Sequence, residues 1–579
     1  MVHSWGKVGL WTFPLNIGYI ASYAKKIVGS HVEGRLFKDP EVMIKQIKHD
    51  PPAIVALSYY VWNFELNNRV FEIAKSVSSE ILTVGGGPRF TNVNTTEEDA
   101  LVFMAEQPYC DAFVYNQGER GFAALVERFI GVKQGIQRFF GAELSGSILF
   151  PKEAGRSPVV GPPVDPVGDL DEIPSPYLNG MMDEFFDGPY CPIIETNRSC
   201  PYRCTFCSWG IGTQKLARFS LERVLAEIEY ISQRCTRAVN IYIGDANFGI
   251  LERDAEIAGK LRECSKTYGF PGHVSAQWNK TRPDRVLAAA RELGGLGEVG
   301  ASMQSLNTET LKGVKRKNLP LEKVMEIRDG LRDSGITMPL VTELILGLPE
   351  ETAQSHIDAN KIFIDLGAEI FNYNLHLLPG TEMYTREGRD KFIRATGWRL
   401  QDNAFGIYDG KIVVEGQEVV LETSTMKRGE LRSFRLIHFL LQFMWGRKWY
   451  FDVLKYLSSI GIHPMDMVLS IAEAMQTNEG DIGEVYAEFK RDHDLENFGT
   501  LDELKAYWSA PENFARLKSG EYGKLNYVFT FKILLEHAQE FDKIVLDQAH
   551  DLARGRKNID IAKFTEICGE IIRFNKEMR

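Results

Sequence analysis

Three cysteines, Cys200, Cys204 and Cys207, stand in the frame Cys-x3-Cys-x2-Cys within the run Cys-Pro-Tyr-Arg-Cys-Thr-Phe-Cys-Ser-Trp-Gly. Thiolate is the ligand that iron-sulfur centres select, and one tight loop can present three of them to three irons of a cubane cluster. The fourth iron is then left open. An open iron takes a small molecule as its ligand, which turns an electron-transfer centre into a place where substrate chemistry starts. Two rival readings are a structural zinc knuckle and buried cysteines with no ligand. Structural zinc wants four protein ligands, and no His or further Cys lies within the ten residues after Cys207, although Cys191 lies upstream.

A loop of this kind needs a scaffold to position it. The chain has 579 residues, more than one core usually organises, so two or three domains are expected, and its 44% hydrophobic content can fill them. A net charge of −11 argues against a general nucleic-acid binder, whose footprint is a basic surface. Eight cysteines without a charged and apolar leader indicate a reducing, cytoplasmic compartment. The greasy run Leu436–Gly446 is too short to span a bilayer, so no membrane span is expected.

Up to the cysteine loop and beyond it, strand and helix signals alternate. Pro51–Ser58 reads as a buried strand, Asn67–Ser79 as a helix and Ile81–Val84 as the next strand, ending in Gly85-Gly86-Gly87. Ligands of open parallel sheets sit beyond such carboxyl ends, although a glycine run is also the mark of a tight turn. Gly131–Asp169 is rich in Gly and Pro and reads as a linker. After Cys207 further strands end at Ile243, Ser275, Ser302, Leu346 and Leu378, each run interrupted by polar or glycine residues, as in a parallel barrel with ligands at its carboxyl ends. Alternation places Ser302 and Gln304 on one face, and Glu343 reads as a buried carboxylate in need of a partner. His376 reads either as a proton relay or as a satisfied core residue. Arg428–Met475 is helical by period with aromatic faces whose default is core.

The run Ile193–Gly210, with its Asn-Arg-Ser-Cys-Pro-Tyr-Arg-Cys-Thr-Phe-Cys core, resembles the radical S-adenosylmethionine (SAM) superfamily. The upstream landmarks Pro14–Tyr23, Ser58–Asn63, Val84–Pro88 and Tyr115–Gly121 resemble the cobalamin (B12)-binding domain that precedes the barrel in some of its members. The resemblance implies an α/β protein with a doubly wound, Rossmann-like cobalamin-binding domain over 1–135, a linker over 136–185, a partial (β/α)6 barrel over 186–385 and a mostly helical C-terminal domain over 386–579. Cys200, Cys204 and Cys207 would hold a [4Fe-4S] cluster. Phe206, Gly244, Asp245, Ala246, Ser302, Gln304, Glu343, Gly347 and Leu378 would border SAM. Leu15, Asn16, Gly18, Ser58, Tyr59, Trp62, Asn63, Gly85, Gly86, Gly87, Gly118 and Glu119 would line cobalamin, with Trp62 below cobalt or simply in the core. Two departures stand out. Asp245 and Ala246 replace a glycine and an acid of the family's Gly-Gly-Glu motif. No Asp-x-His-x-x-Gly motif exists, and His3, His31 and His49 are the only histidines of the first domain, so cobalamin without a His ligand is implied.

The activity implied is methyl transfer from methylcobalamin to an unactivated carbon of a small-molecule or peptide substrate by way of a 5′-deoxyadenosyl radical. A flavodoxin or ferredoxin would serve as electron donor. Cyclisation or ring rearrangement without methyl transfer is the alternative outcome, and a non-catalytic cobalamin or cluster sensor is the reading from outside enzymology.

Overall fold

The structure, a computed structural model, describes residues 12–91, 95–132, 139–152, 155–210, 215–336, 340–554, 556 and 559–578. The first layer is a five-stranded sheet in the order β1 (Ile54–Ser58), β2 (Leu82–Gly86), β3 (Ala112–Val114), β4 (Ser147–Leu149) and β5 (Val159–Val160). The β1–β2 and β2–β3 pairings are parallel, and the β3–β4 and β4–β5 pairings are antiparallel. Helices Pro40–His49 and Phe64–Val77 bury Ile44, Ile47, Val70 and Phe71 on one face; Leu125 packs with Leu82, Val84 and Ala112 on the other. A sheet covered on both faces needs apolar runs rather than alternation, which is why Ile81–Val84 was legible as a strand. The expected linker is in part sheet, since β4 and β5 fall inside Gly131–Asp169 and Gly161 N donates to the Ser147 carbonyl at 2.9 Å.

The barrel is built from β6 (Ile193–Ile194), β9 (Asn240–Phe248), β10 (His273–Trp278), β11 (Val299–Gly300), β12 (Leu340–Leu346) and β13 (Glu369–Asn374), all parallel, in two groups of three: β6-β9-β10 and β11-β12-β13. The short pair β7 (Asn197–Arg198) and β8 (Ala217–Arg218) frames the cysteine loop. Burial alternates along β9 and β12: Ile241, Ile243, Leu344 and Leu346 face the helix layer, and Tyr242, Gly244, Ala246, Val341, Glu343 and Ile345 face the lumen.

Four strand ends differ from expectation. β9 continues past Ile243 to Phe248, β10 continues past Ser275 to Trp278, β13 stops at Asn374, and β11 stops at Gly300. At β11 the cause is a bulge. Ala301 N donates to Val341 O and Gln304 N to Glu343 O, so three residues on one side span two on the other, and Gln304 adopts φ +65°. An extra residue breaks the alternation that would have put Ser302 and Gln304 on one face.

The C-terminal part opens with a long antiparallel hairpin, β14 (Ile393–Tyr408) and β15 (Lys411–Thr423), which the sequence reading did not anticipate. It continues the barrel sheet: Leu377 N donates to Glu418 O and Val420 N to Leu375 O, both at 3.0 Å. Helices follow from Arg428, and Phe434, Phe439, Phe443, Trp445 and Tyr450 are buried among them, as core residues. Farther on, Leu525–Glu536 and Ala538–Arg554 form two successive helices. Among the described residues no helix is long and apolar enough to cross a membrane.

Candidate functional site

The cysteine loop is pinned on three sides. Asp245 accepts from the backbone N–H of Thr196 at 2.7 Å and of Asn197 at 3.2 Å, and from the Thr196 hydroxyl and the Asn197 amide at 2.5 and 2.6 Å. Burial pushes its carboxyl up to about 7. Asp245 therefore faces out of the lumen and serves the loop, whereas Gly244 and Ala246 on the same strand face inward. Thr205 N donates to Val314 O, and Met383 N to Thr205 O. Ser199 turns the chain into the loop at φ +76°, a left-handed conformation that a side chain adopts only where the surroundings impose it.

Around the sulfurs the partners are donors. Asn247 Nδ2 lies 3.1 Å from Cys200 Sγ and Arg316 Nη1 3.7 Å from Cys204 Sγ. Arg316 also donates to the Ser302 carbonyl. Burial raises the Cys207 thiol, and the charges of Cys204 and Cys200 add to it; Lys280 feels all three sulfurs and is itself held below the usual ammonium range by burial and by Arg316. Asn247 and Arg316 thus bring N–H donors to two of the sulfurs, a setting that suits the sulfur charge of a bound cluster. Among the described residues no three acidic, His or Cys groups stand close enough to hold a single metal ion. Asn247, Lys280 and Arg316 were not singled out from the sequence; Asn247 shares the face of Asp245 two residues on, and that alternation was the available signal.

The other barrel positions are brought together unevenly. Glu343 is half-buried on the lumen face, with Gln304 Nε2 at 3.4 Å, and its charge reaches Tyr373. It is not the fully buried acid expected, because β12 turns that face to an open lumen. Ser302 is buried, and its carbonyl is taken by Arg316. Phe206 packs with Leu348, Leu375 and Met383 at the lumen edge; Gly347 turns the chain at φ +86°, and Leu378 lines the large cavity described next. His376 is held near 3 by burial, so it is neutral at ordinary pH and carries no relayed proton as a cation.

Between the first domain, the cysteine loop and the C-terminal hairpin lies a cavity of about 2150 Å3. Leu15, Asn16, Ser58, Tyr59, Trp62, Gly85, Gly86, Gly87, Gly118 and Glu119 line one side; Arg198, Ser199, Ser208, Trp209 and Gly244 line the side of the cysteine loop; Trp398, Gln417 and Glu418 close the third. Asn16 Nδ2 donates to Tyr60 Oη at 2.7 Å, and Tyr60 stacks on Trp62 at 4.5 Å with rings 5° from parallel. The glycine run is required by packing as well as by the cavity. A Cβ on Gly85 would lie 2.7 Å from the Phe113 ring, and Gly87 has φ +125° with the Tyr59 carbonyl 2.7 Å from where its Cβ would be. Tyr59 is core, its hydroxyl on Gln107 at 2.9 Å. Gly18 and Asn63 stand outside the wall. Gly18 makes room for Met182 and Pro176, and Asn63 closes the turn after β1 by bonding Ser58 O and Tyr60 N. Of the histidines, His31 is an exposed residue on the cavity wall, His49 is exposed at a helix end, and His3 lies outside the described residues.

The model of the radical SAM superfamily matches residues 194–361, the stretch that carries the loop and most of the barrel. Residues 194–361 are a radical SAM domain. It is 30% identical over 446 residues, 73% of this chain and 62% of that protein, to the cobalamin-dependent radical SAM methyltransferase TokK of Streptomyces tokunonensis. It is 31% identical over 435 residues, 72% and 61%, to the 2-(S-pantetheinyl)-carbapenam-3-carboxylate methyltransferase of Streptantibioticus cattleyicolor. The chain thus spans about three fifths of the length of these relatives. A structure of the radical SAM methyltransferase TsrM from Kitasatospora setae, with cobalamin and [4Fe-4S] cluster bound, aligns over 68% of this chain and 79% of that one with a TM-score of 0.49 and 16% identity. Within the radical SAM domain the match begins at Ile194, directly ahead of the loop that Asp245 holds.

Proposed function

We propose that this protein is a cobalamin-dependent radical SAM methyltransferase that places a methyl group on an unactivated carbon of a small-molecule or peptide substrate. The observation that carries the reading is one continuous cavity whose walls include both the glycine loops of the first domain and the residues that flank Cys200 and Cys207. The chain's residues suit the groups involved. Three thiols on one loop, met by Asn247 and Arg316 N–H, are a donor set for a cubane with one open iron. The buried Ser58 hydroxyl, on the cavity wall at the end of β1, has no hydrogen-bond partner among the described residues, which fits a ligand rich in amides. The resemblance to methyltransferases along nearly three quarters of the chain supports methyl transfer over cyclisation.

When bound, the cluster and SAM supply a carbon-centred radical and cobalamin supplies the methyl group. The protein's share is placement. Cys200, Cys204 and Cys207 would hold the cluster; Gly244 and Ala246 keep the lumen wall at β9 low, and they would border SAM together with Glu343 and Gln304. Gly85 to Gly87, Gly118 and the stacked Tyr60–Trp62 pair would hold cobalamin. Trp398 and Gln417 on the hairpin wall would face the substrate from the third side of the cavity. Electrons would come from a flavodoxin or ferredoxin in a cytoplasmic setting.

The test is anaerobic reconstitution with iron, sulfide, hydroxocobalamin, a reductant and SAM labelled in its methyl group, followed by mass analysis of a candidate-substrate pool. A product carrying the label is expected. An unlabelled rearranged product would replace methyl transfer by cyclisation, and the absence of any SAM cleavage by a cluster-loaded protein would refute the reading.

A further inference from the structure

Two residues ahead of Cys200, Arg198 joins the cysteine loop to the first domain. Its Nη1 donates to Glu119 Oε1 at 2.6 Å and its Nε to Glu195 Oε2 at 2.8 Å. The Arg198 and Glu119 side chains are 11% and 5% exposed, so this is an interior ion pair rather than a surface one. The guanidinium lies 5.0 Å over the ring of Tyr19, on the Leu15–Val28 helix, and 5.8 Å over Phe219. Glu119 stands in the first turn of the Gly118–Gly131 helix, which follows β3 and lines the cavity. Just before Arg198, Thr196 and Asn197 are bonded to Asp245 of the barrel. Consecutive residues leading into the cluster loop are thus anchored to two different bodies, the barrel through 196–197 and the first domain through 198.

We infer that Arg198 and Glu119 are positioning residues that couple occupancy of the first-domain side of the cavity to the geometry of the cluster loop, so that cobalamin and SAM bind each other's complexes more tightly. This rests on the proposed function. A ligand that sets the Gly118–Glu119 loop moves or fixes Glu119; the buried pair carries that constraint to Arg198, and the Ser199 turn passes it to Cys200. Coupling between two sites is reciprocal, and factors of about 5 to 150 are typical of such linkage. A lysine lacks the planar fork by which Arg198 meets Glu119 and Glu195 through separate, fixed N–H groups.

The experiment measures SAM binding by equilibrium dialysis without reductant, with and without saturating hydroxocobalamin, and records the electron paramagnetic resonance signal of the reduced cluster in both states. It compares wild type, Arg198→Lys, Glu119→Gln and the double variant. Wild type is expected to bind SAM about fivefold or more tightly with cobalamin present, and to shift its cluster signal. Each single variant should lose the shift and keep no more than about a twofold effect, and the double variant should be no worse than either single, as expected for groups acting as a pair. The resonance reports cluster-loaded molecules alone, so a variant that loads less iron is still read. Full coupling in either variant, or additive losses in the double variant, overturns the inference. Wild type that binds cobalamin without affecting SAM overturns the inference alone, whereas wild type that binds no cobalamin overturns the functional reading with it.

Discussion

The mouth of the barrel carries an acid on each of two strands, and the two are built in opposite ways. Asp245 on β9 is 1% exposed and accepts four hydrogen bonds, two of them from the backbone that enters the cysteine loop. Glu343 on β12 is half-buried with one weak partner, Gln304 at 3.4 Å. Strand alternation is the cause, since Asp245 falls on the helix-layer side of its strand and Glu343 on the lumen side. A saturated buried acid is scaffold; an acid with spare acceptors on a lumen wall is placed for a ligand. Glu415 on β15 belongs with Asp245, buried and bonded to the N–H groups of Glu65 and Leu66 at the start of the Phe64–Val77 helix.

The outer limit for both acids is the loop itself. Replacing Cys200, Cys204 and Cys207 together by Ala should abolish bound iron and all 5′-deoxyadenosine formation while circular dichroism stays near wild type, because Asp245 and Arg198, not the thiols, hold the loop. Retained iron-dependent SAM cleavage would break the assignment. Glu415→Gln separates scaffold acids from ligand acids by pH. Burial raises the Glu415 carboxyl to about 8 from an ordinary 4.5, so the native state keeps a proton that the unfolded chain releases between those values. Wild-type stability then falls as pH rises through that window, by up to about 1.4 kcal/mol per pH unit from this group. The Gln variant lacks this slope, so in urea denaturation its stability relative to wild type should increase from pH 5 to pH 8. Asp245→Asn should cost about 2–3 kcal/mol of stability, because an amide presents its own N–H to a donor that the carboxylate accepted. SAM affinity of the folded protein should fall by less than about fivefold, roughly 1 kcal/mol. A large loss of affinity without loss of stability would move Asp245 into the ligand class.

The cysteine frame, the parallel strands and the glycine loops were legible because each has a local signature. What was not legible depends on residues far apart in the chain. Arg198 and Glu119 meet across 79 positions, and nothing local marks either as the other's partner. The hairpin β14–β15 reads poorly because its strands are long and bulged, β14 mostly half-buried and β15 largely buried, so that neither shows simple alternation, and its place is fixed by pairing with 375–377 rather than by its own pattern. The Gly-Gly-Glu comparison put Asp245 at the border of SAM, and the alternation of Ile241, Ile243 and Asp245 puts its side chain on the outer face. The bulge after Gly300 is the reverse case. Alternation was trusted there, and an inserted residue defeated it.

Glu343→Gln sharpens the comparison from the other side. The carboxylate has acceptor capacity that Gln304 does not use, its β12 neighbours Val341 and Ile345 also face the lumen, and its charge bears on the exposed Tyr373 across the β12–β13 pair. Nothing in the scaffold depends on it, so denaturation should shift by no more than about 0.5 kcal/mol, as for substitutions away from packed features. Its use would come when a cationic ligand enters the lumen, where a charge-assisted hydrogen bond outweighs a neutral one. At limiting SAM, 5′-deoxyadenosine formation should therefore drop at least about tenfold, or 1.4 kcal/mol, while methyl loading of cobalamin changes less. Wild-type radical formation in Glu343→Gln would show that spare acceptors at β12 do not mark the SAM side of the lumen, and that the contrast with Asp245 is one of burial alone.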